Sequence, residues 1–284
     1  MKPAAFAYHA PQSVDEALQL LEMHGANDGR ILAGGQSLVP MMAYRLARPA
    51  HLIDINRIAE LGTLTAAGGV LRIGAGVRHA AFYDAAIPGP TGTLLQRVVH
   101  HIADHPIRVR GTFGGSLAHA DPASEWCCIA ALLDAEIVAT SARAARAIAA
   151  DTFFRGPMAT DVRENELITE VRVPLLPADA RCGFAEFSRR TGDFALAMVA
   201  VTYRVGDGRI VDPRLAVGGV EDRPRRIREA EAVLAGARPT SDTFAAAARA
   251  VTSAVVPLDD GTGEGAYRRD LLLGLVPQAL ECAA

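Results

Sequence analysis

Two glycine pairs, each followed closely by a serine, are the residues of this chain best suited to hold a ligand with the backbone. The first pair lies in Gly34-Gly35-Gln36-Ser37 and the second in Gly114-Gly115-Ser116. Glycine has no Cβ and tolerates positive φ, so backbone amides can approach a bound group closely. A strand that ends in GGQS and leads into a helix directs several amides and the positive helix end at one point, which suits a phosphate or pyrophosphate. A tight structural turn is the alternative interpretation of either pair.

Polar side chains surround the second glycine pair. Thr112 precedes it, and Asp121 and Glu125 follow within the stretch AHADPASEW. Hydroxyls and carboxylates in this order suit the polar edge of a heterocycle and the hydroxyls of a ribityl or ribose chain. Asp121 is alternatively the cap of a helix that begins at Pro122, with Glu125 in its first turn.

Other familiar chemistry is disfavoured by spacing. Neither glycine segment matches the dinucleotide pattern G-x-G-x-x-G or the P-loop pattern G-x-x-x-x-G-K-[ST]. His101 and His105 have the i, i+4 spacing of a helical zinc pair, but no glutamate follows His101 and Pro106 limits the helix, so we expect no metal on this chain. The four cysteines include no C-x-x-C pair, which favours reduced thiols.

Composition indicates an ordinary globular protein. The 284 residues are 50% hydrophobic and 21% charged, with a net charge of −3, which gives no electrostatic reason to bind nucleic acid. The N-terminus lacks the apolar core of a secretory signal, and no apolar run is long enough to span a bilayer, so we expect a cytoplasmic protein.

The order of predicted elements gives an α+β fold in two domains. A capping box at Ser13 opens a helix that ends near Gly25, and a compact β-loop-α-β unit follows through residue 55. We place a first domain at residues 1–176, in lobes of about 1–57 and 58–176, and a smaller α+β domain at 177–284. A helix over 91–104, which includes Ile102, and a helix over 122–133 are expected in the second lobe.

Four segments carry a resemblance to a known family. AGGQSLVPMM, IRVRGTFGGSLAHADPASEW, NELITEVRVP and EFSRRTGDFALA occur in order and at family-like spacing. Together they resemble the FAD-binding medium subunit of molybdenum hydroxylases, the flavoprotein of the carbon monoxide dehydrogenase and xanthine dehydrogenase family. The resemblance implies a two-lobed FAD-binding domain of the vanillyl-alcohol-oxidase (PCMH) type, followed by a C-terminal domain of the carbon monoxide dehydrogenase flavoprotein type.

The resemblance also implies which residues contact FAD. The first glycine segment is expected to surround the diphosphate, and the second to reach the diphosphate, ribityl chain and flavin ring. Phe194, in the turn Thr191-Gly192-Asp193-Phe194, is expected either to cover one ring face or simply to start the next strand. Some relatives have a lysine just before the segment that matches Ser188, where this chain has Ala185-Glu186-Phe187, so no lysine contact is assigned. The complete expected set is Ile31, Leu32, Ala33, Gly34, Gly35, Gln36, Ser37, Leu38, Ile102, Thr112, Gly114, Gly115, Ser116, Asp121, Glu125, Ile168 and Phe194.

The function that the resemblance implies is electron transfer through non-covalently bound FAD, with no catalytic side chain on this chain. A small subunit would hold [2Fe-2S] clusters and a large subunit the molybdopterin, in a dimer of heterotrimers, and FAD would pass electrons to an external acceptor such as NAD, oxygen or a quinone. Two alternatives remain open at this point: a flavin-free scaffold subunit, and a free-standing flavin oxidase or reductase.

Overall fold

The computed structural model describes residues 2–261 and 263–283, which form three groups of elements along the chain. The first group is a parallel three-stranded sheet of order β1-β3-β2 with its helices. Its elements are β1 (Ala7–His9), α1 (Val14–His24), β2 (Gly29–Leu32), α2 (Leu38–Ala43) and β3 (His51–Asp54).

The first helix begins where the capping box predicts. The Ser13 hydroxyl accepts a hydrogen bond from the Glu16 amide at 3.2 Å, which satisfies a backbone donor that has no partner inside the helix. The apolar face of α1 packs against Ile53 of β3, which fixes the helix across one face of the sheet. The residues that form this small core are Ala17, Leu18, Leu21, Ile53, Ile55, Ile58, Leu61 and Leu167.

The second group surrounds an antiparallel sheet of order β4-β5-β10-β6-β7 and carries the second glycine pair. Its elements are β4 (Leu64–Ala67), β5 (Val70–Gly74), α3 (Gly89–Val99), α4 (His105–Arg108), α5 (Phe113–His119), α6 (Glu125–Leu132), β6 (Glu136–Thr140), β7 (Ala145–Ala149), α7 (Ala150–Phe153), β8 (Phe154–Gly156), β9 (Ala159–Thr160) and β10 (Leu167–Pro174).

The third group is an antiparallel sheet of order β11-β12-β13-β14 with three helices. Its elements are β11 (Arg181–Phe187), β12 (Ala197–Gly206), β13 (Arg209–Gly218), β14 (Arg225–Arg226), α8 (Arg228–Leu234), α9 (Ser241–Ala254) and α10 (Gly265–Cys282).

Helix α6 and strand β12 form part of the packing between the second and third groups. All eight residues of α6 are buried, because the helix packs on β12 and β13 as well as on its own group. Side chains alternate along β12: Met198 and Ala200 enter the core that contains Trp126, whereas Val199 and Val201 face α9 and α10 in a separate core. A strand buried on both faces explains the uninterrupted apolar run of this segment.

Two helix boundaries differ from the sequence prediction. The helix expected over 91–104 is α3, which ends at Val99, so Ile102 lies after it. The helix expected to begin at Pro122 begins at Glu125, after a turn in which Asp121 accepts a hydrogen bond from the Ala123 amide at 2.9 Å. Asp121 therefore caps a turn rather than the helix, because its short side chain competes for the nearest amide.

Among residues 2–261 and 263–283, no helix combines the length and the apolar character that crossing a membrane requires.

Candidate functional site

The first glycine segment leaves a row of backbone amides without partners. Strand β2 ends at Leu32 and α2 begins at Leu38, so residues 33–37 form the connection between them. Within the described part of the chain, no intrachain hydrogen bond uses the amides of residues 34–38. Gly35 has φ of +74°, a conformation that side chains with a Cβ rarely adopt. Such a row of amides is a binding surface for an anion.

A cavity of about 350 Å³ opens beside this segment. Its wall combines the first glycine segment with the ends of β2 and β3 and with one cation from the second segment. The lining residues are Leu32, Ala33, Gly34, Gly35, Gln36, Val39, Pro40, Asp54, Asn56 and Arg110. A positively charged side chain opposite unbonded amides fits a diphosphate group.

At Gly34, the first glycine segment contacts the backbone that leads into the second glycine segment. A Cβ on Gly34 would lie 2.3 Å from the carbonyl oxygen of Arg110 and 2.7 Å from the Cα of Gly111. No side chain fits in that gap, so glycine at this position is required by the approach of one backbone to the other. The contact holds the second segment against the first.

A chain of polar side chains also connects the segments. The side-chain amide of Asn56 donates to the Ala33 carbonyl at 2.7 Å. Its side-chain oxygen accepts from the Arg78 guanidinium at 2.6 Å. Arg78 donates in turn to the carbonyl of Arg110. Burial lowers the pKa of Arg78, and the nearby charge of Arg110 lowers it further. Two guanidinium groups that repel each other beside the cavity would be stabilised by a bound anion.

Asp54 is held at the start of this chain of hydrogen bonds. Its carboxylate accepts from the Tyr8 hydroxyl at 2.6 Å and from the Asn56 amide at 2.9 Å. Hydrogen bonds from these groups lower the pKa of Asp54 although its burial opposes them. The Asp54 carboxylate is therefore occupied by neighbours that fix Asn56 in place.

The second glycine segment is helical, not an open loop. Thr112 is the N-cap of α5, and its hydroxyl accepts from the Gly115 amide at 3.0 Å. The amide of Gly114 donates to Ala75 at 3.0 Å, and that of Ser116 donates to Thr112 at 3.0 Å. These amides are therefore already bonded within the chain. The similar sequences of the two glycine pairs did not indicate this difference. What this segment can still offer a ligand is the Ser116 hydroxyl and close packing.

Buried carboxyl groups meet where α6 packs on the third sheet. Glu125 and Glu186 are both buried, and Glu186 Oε2 has no hydrogen-bond partner within the described residues. Burial raises the pKa of both side chains, and the charge of Glu125 raises that of Glu186 further. Asp121 adds a smaller upward effect on Glu125. The pKa of Glu186 is raised to about 9, so this carboxyl retains its proton at neutral pH.

Replacing the titratable carboxyl of Glu186 with an amide should change how the free energy of unfolding depends on pH. The pKa of Glu186 is raised from its ordinary value of 4.5 to about 9. The folded protein therefore has its full stability below the ordinary pKa and loses stability as the pH rises towards 9. We expect Glu186→Gln to unfold like the wild type at about pH 5 but to be more stable by about 1–2 kcal/mol at about pH 8.5. Urea unfolding at both pH values measures this, with exposed Glu136→Gln as the control. Equal stabilisation at the two pH values would contradict a buried protonated carboxyl.

The remaining expected residues lie in different environments. Ile102 and Ile168 are buried, and Ile168 is part of β10 in the core of the second group. Phe194 is 73% exposed and precedes β12, so the alternative that it starts the apolar strand is wrong. Its turn lies close to the second group, since a Cβ on Gly192 would be 2.9 Å from the Asp104 carboxylate.

Sequence reasoning missed the side chains that connect the two segments. Asp54, Asn56 and Arg78 belong to none of the motifs, and Arg110 stood in a quoted segment without a role. Asn56, which directly follows the predicted strand ending at residue 55, carried the available signal, because binding residues often lie in the loops after strands. Glu186 had a signal too, because it lies in Ala185-Glu186-Phe187, the stretch in which no lysine contact could be assigned.

The fold and the cavity define an FAD-binding class of protein, and comparison with known proteins gives the family. A family profile described as "FAD binding domain in molybdopterin dehydrogenase" matches residues 4–176. A second, "CO dehydrogenase flavoprotein C-terminal domain", matches residues 183–283. The chain belongs to this family: it is an FAD-binding medium subunit of the molybdenum hydroxylase type.

Individual relatives match this chain over nearly its whole length. The chain is 38% identical to the nicotine 6-hydroxylase medium subunit of Paenarthrobacter nicotinovorans, over 99% of this chain and 98% of that one. It is 35% identical to the carbon monoxide dehydrogenase medium chain of Hydrogenophaga pseudoflava, over 100% and 98%. The solved carbon monoxide dehydrogenase from Hydrogenophaga pseudoflava, in a form that lacks the Mo-pyranopterin moiety, superposes with a TM-score of 0.95 at 37% identity, over 100% of this chain and 98% of that one.

Proposed function

We propose that this chain binds FAD non-covalently, with the FAD diphosphate in the cavity beside the first glycine segment. The observation that carries the proposal is the row of unbonded amides at residues 34–38 opposite Arg110. Anions bind such backbone surfaces through several short hydrogen bonds at once. Arg78 and Asn56 hold the two segments in position.

We propose the other expected FAD contacts as well. Leu32 and Leu38 flank the cavity ends of β2 and α2, and Thr112 fixes the second wall. The proposed FAD-contacting set remains Ile31, Leu32, Ala33, Gly34, Gly35, Gln36, Ser37, Leu38, Ile102, Thr112, Gly114, Gly115, Ser116, Asp121, Glu125, Ile168 and Phe194. We also propose the domain division at residues 176 and 177, with lobes of 1–57 and 58–176.

The proposed role is electron transfer inside a larger complex. When bound, FAD supplies the redox chemistry, taking electrons from a [2Fe-2S] partner subunit and giving them to an external acceptor. Relatives named as medium subunits or medium chains support the presence of partner subunits. We propose that one partner is small and holds iron–sulfur clusters and that the other is large and holds molybdopterin. We propose a cytoplasmic dimer of such heterotrimers. This chain then orients FAD and controls access to it.

One purification tests the proposal. The full chain, expressed with its neighbouring genes, should copurify with two other subunits identified by mass spectrometry and should show flavin absorption. Acid precipitation should release all the flavin, because no histidine or cysteine stands in the first glycine segment to bond it. Colour that remains in the pellet would contradict non-covalent binding, and a colourless protein would favour the scaffold alternative. Substrate oxidation by the isolated chain would favour the free-standing enzyme.

Phe194 should control the access of oxygen to reduced FAD. Its exposed ring projects from a turn next to Asp104, and an aromatic ring over a flavin would exclude water and oxygen from that side. We expect Phe194→Ala to keep its FAD and to change the reoxidation rate several-fold in stopped-flow measurements. Val256→Ala, at a similarly exposed position of the same group, is the control. Reoxidation at the wild-type rate would remove Phe194 from the proposed site.

A further inference from the structure

Three histidines that are far apart in sequence converge on the first group of elements. In the parallel register, His51 of β3 pairs with Ala7 and His9 of β1 pairs with Ile53. Side chains at alternate positions of a strand share a face, so His9, His51 and Ile53 face the same way. Helix α1 covers that face by packing on Ile53, and His24 is its last residue.

The imidazole rings lie in contact with one another. Nε2 of His9 is 3.0 Å from Nδ1 of His51, and the His24 and His51 rings stack with centroids 3.9 Å apart. The His9 centroid is 5.0 Å from that of His24. One ring nitrogen from each histidine lies within 4.8 Å of the other two, and all three side chains are half-buried. The cluster therefore has both the convergence and the access from solvent that a metal site needs.

We propose that His9, His24 and His51 bind a divalent transition-metal cation, for which Zn²⁺ is the reference ion. Imidazole is a borderline ligand that suits Zn²⁺, Cu²⁺ and Ni²⁺, whereas Ca²⁺ and Mg²⁺ require oxygen ligands. Three protein ligands leave the fourth tetrahedral position to water.

The imidazole rings would have to rotate to complete the coordination, because those of His24 and His51 are stacked with 14° between their planes. Tetrahedral zinc with bonds of about 2.0–2.1 Å places its nitrogen ligands about 3.3 Å apart, close to the His9–His51 separation of 3.0 Å.

A metal here would connect β1, α1 and β3 at a distance from the FAD cavity. His51 pairs with Gly29, the first residue of β2, whereas the cavity lies beyond Leu32, at the other end of that strand. The site would therefore stabilise the first group of elements without being an FAD ligand, and it is independent of the proposed electron transfer.

The test is a titration of the purified full chain, stripped of metal with a chelator, with ZnCl₂. We expect one Zn²⁺ per chain by elemental analysis, a dissociation constant below about 10 µM and a higher melting temperature with the metal bound. His24→Gln should weaken binding by about 10-fold or more, and the double variant His9→Gln/His51→Gln should abolish it. Exposed His100→Gln is the control and should bind like the wild type.

Two further readouts keep the result independent of folding. The FAD content of each variant reports whether the fold survives, since the cavity does not contain these histidines. CoCl₂ added to the unmodified chain should give the visible d–d absorption of tetrahedral cobalt with nitrogen ligands. The proposal is overturned if the wild type lacks this spectrum, if it binds no Zn²⁺ below about 100 µM, or if folded histidine variants bind as the wild type does.

Discussion

Gly35→Val should purify without FAD while keeping its fold. The φ of +74° at Gly35 is strained for a β-branched residue, at a cost of about 1–3 kcal/mol. The added Cβ would also lie 3.1 Å from the side chain of Val39 and 3.2 Å from that of Leu32, so these side chains must shift. The segment itself moves if the strained φ is relieved. Any movement displaces the amides of residues 34–38, which are the groups proposed to bind the diphosphate. The ratio of flavin to protein absorbance in the purified protein measures the loss.

Gly208→Val separates backbone strain from loss of the site. Gly208 has φ of +71°, close to that of Gly35, but nothing lies within 4 Å of its added Cβ. It lies between β12 and β13, in the third group. Both variants should lose similar stability in urea, and only Gly35→Val should lose FAD. A full flavin complement in Gly35→Val would show that the first segment does not hold the diphosphate.

Arg78→Met should weaken FAD binding by about 10- to 100-fold. Arg78 donates to Asn56 and to the carbonyl of Arg110, and so holds the second segment beside the first. Hydrogen bonds from a charged group contribute about 1.5–3 kcal/mol, which corresponds to that change in affinity. Methionine keeps the length and apolar stem of arginine but cannot make these bonds. Flavin titration of the deflavinated chain, followed by fluorescence quenching, gives the dissociation constant.

The control for Arg78→Met is Arg72→Met on the neighbouring β5. Arg72 is exposed and pairs with Glu170 at 2.9 Å, so its removal takes away the same charge without touching either glycine segment. Surface ion pairs of this kind contribute little stability. We expect wild-type affinity from Arg72→Met. If both variants lost affinity equally, a general electrostatic effect rather than the positioning of the segments would explain the result.

Local patterns predicted much of the fold because their causes are local. The capping box at Ser13 placed the start of α1. Strand β12 has no alternation of apolar and polar residues, because its side chains enter a hydrophobic core on both faces. Predicted helix ends failed at Pro122, where Asp121 bonds to an amide of its own turn before the helix begins.

The sequence alone determined the family, and with it the FAD-binding fold, because four motifs occur in order along nearly the whole chain. It also identified the first glycine segment, whose amides remain free because no neighbouring strand or helix uses them. Only the tertiary structure decided that the second pair is the first turn of α5, with its amides bonded to Ala75 and Thr112. Only the tertiary structure brought Glu186 to Glu125 and gathered the three histidines. Those contacts join residues distant along the chain, and packing of whole elements, rather than local sequence preference, sets the distances between them.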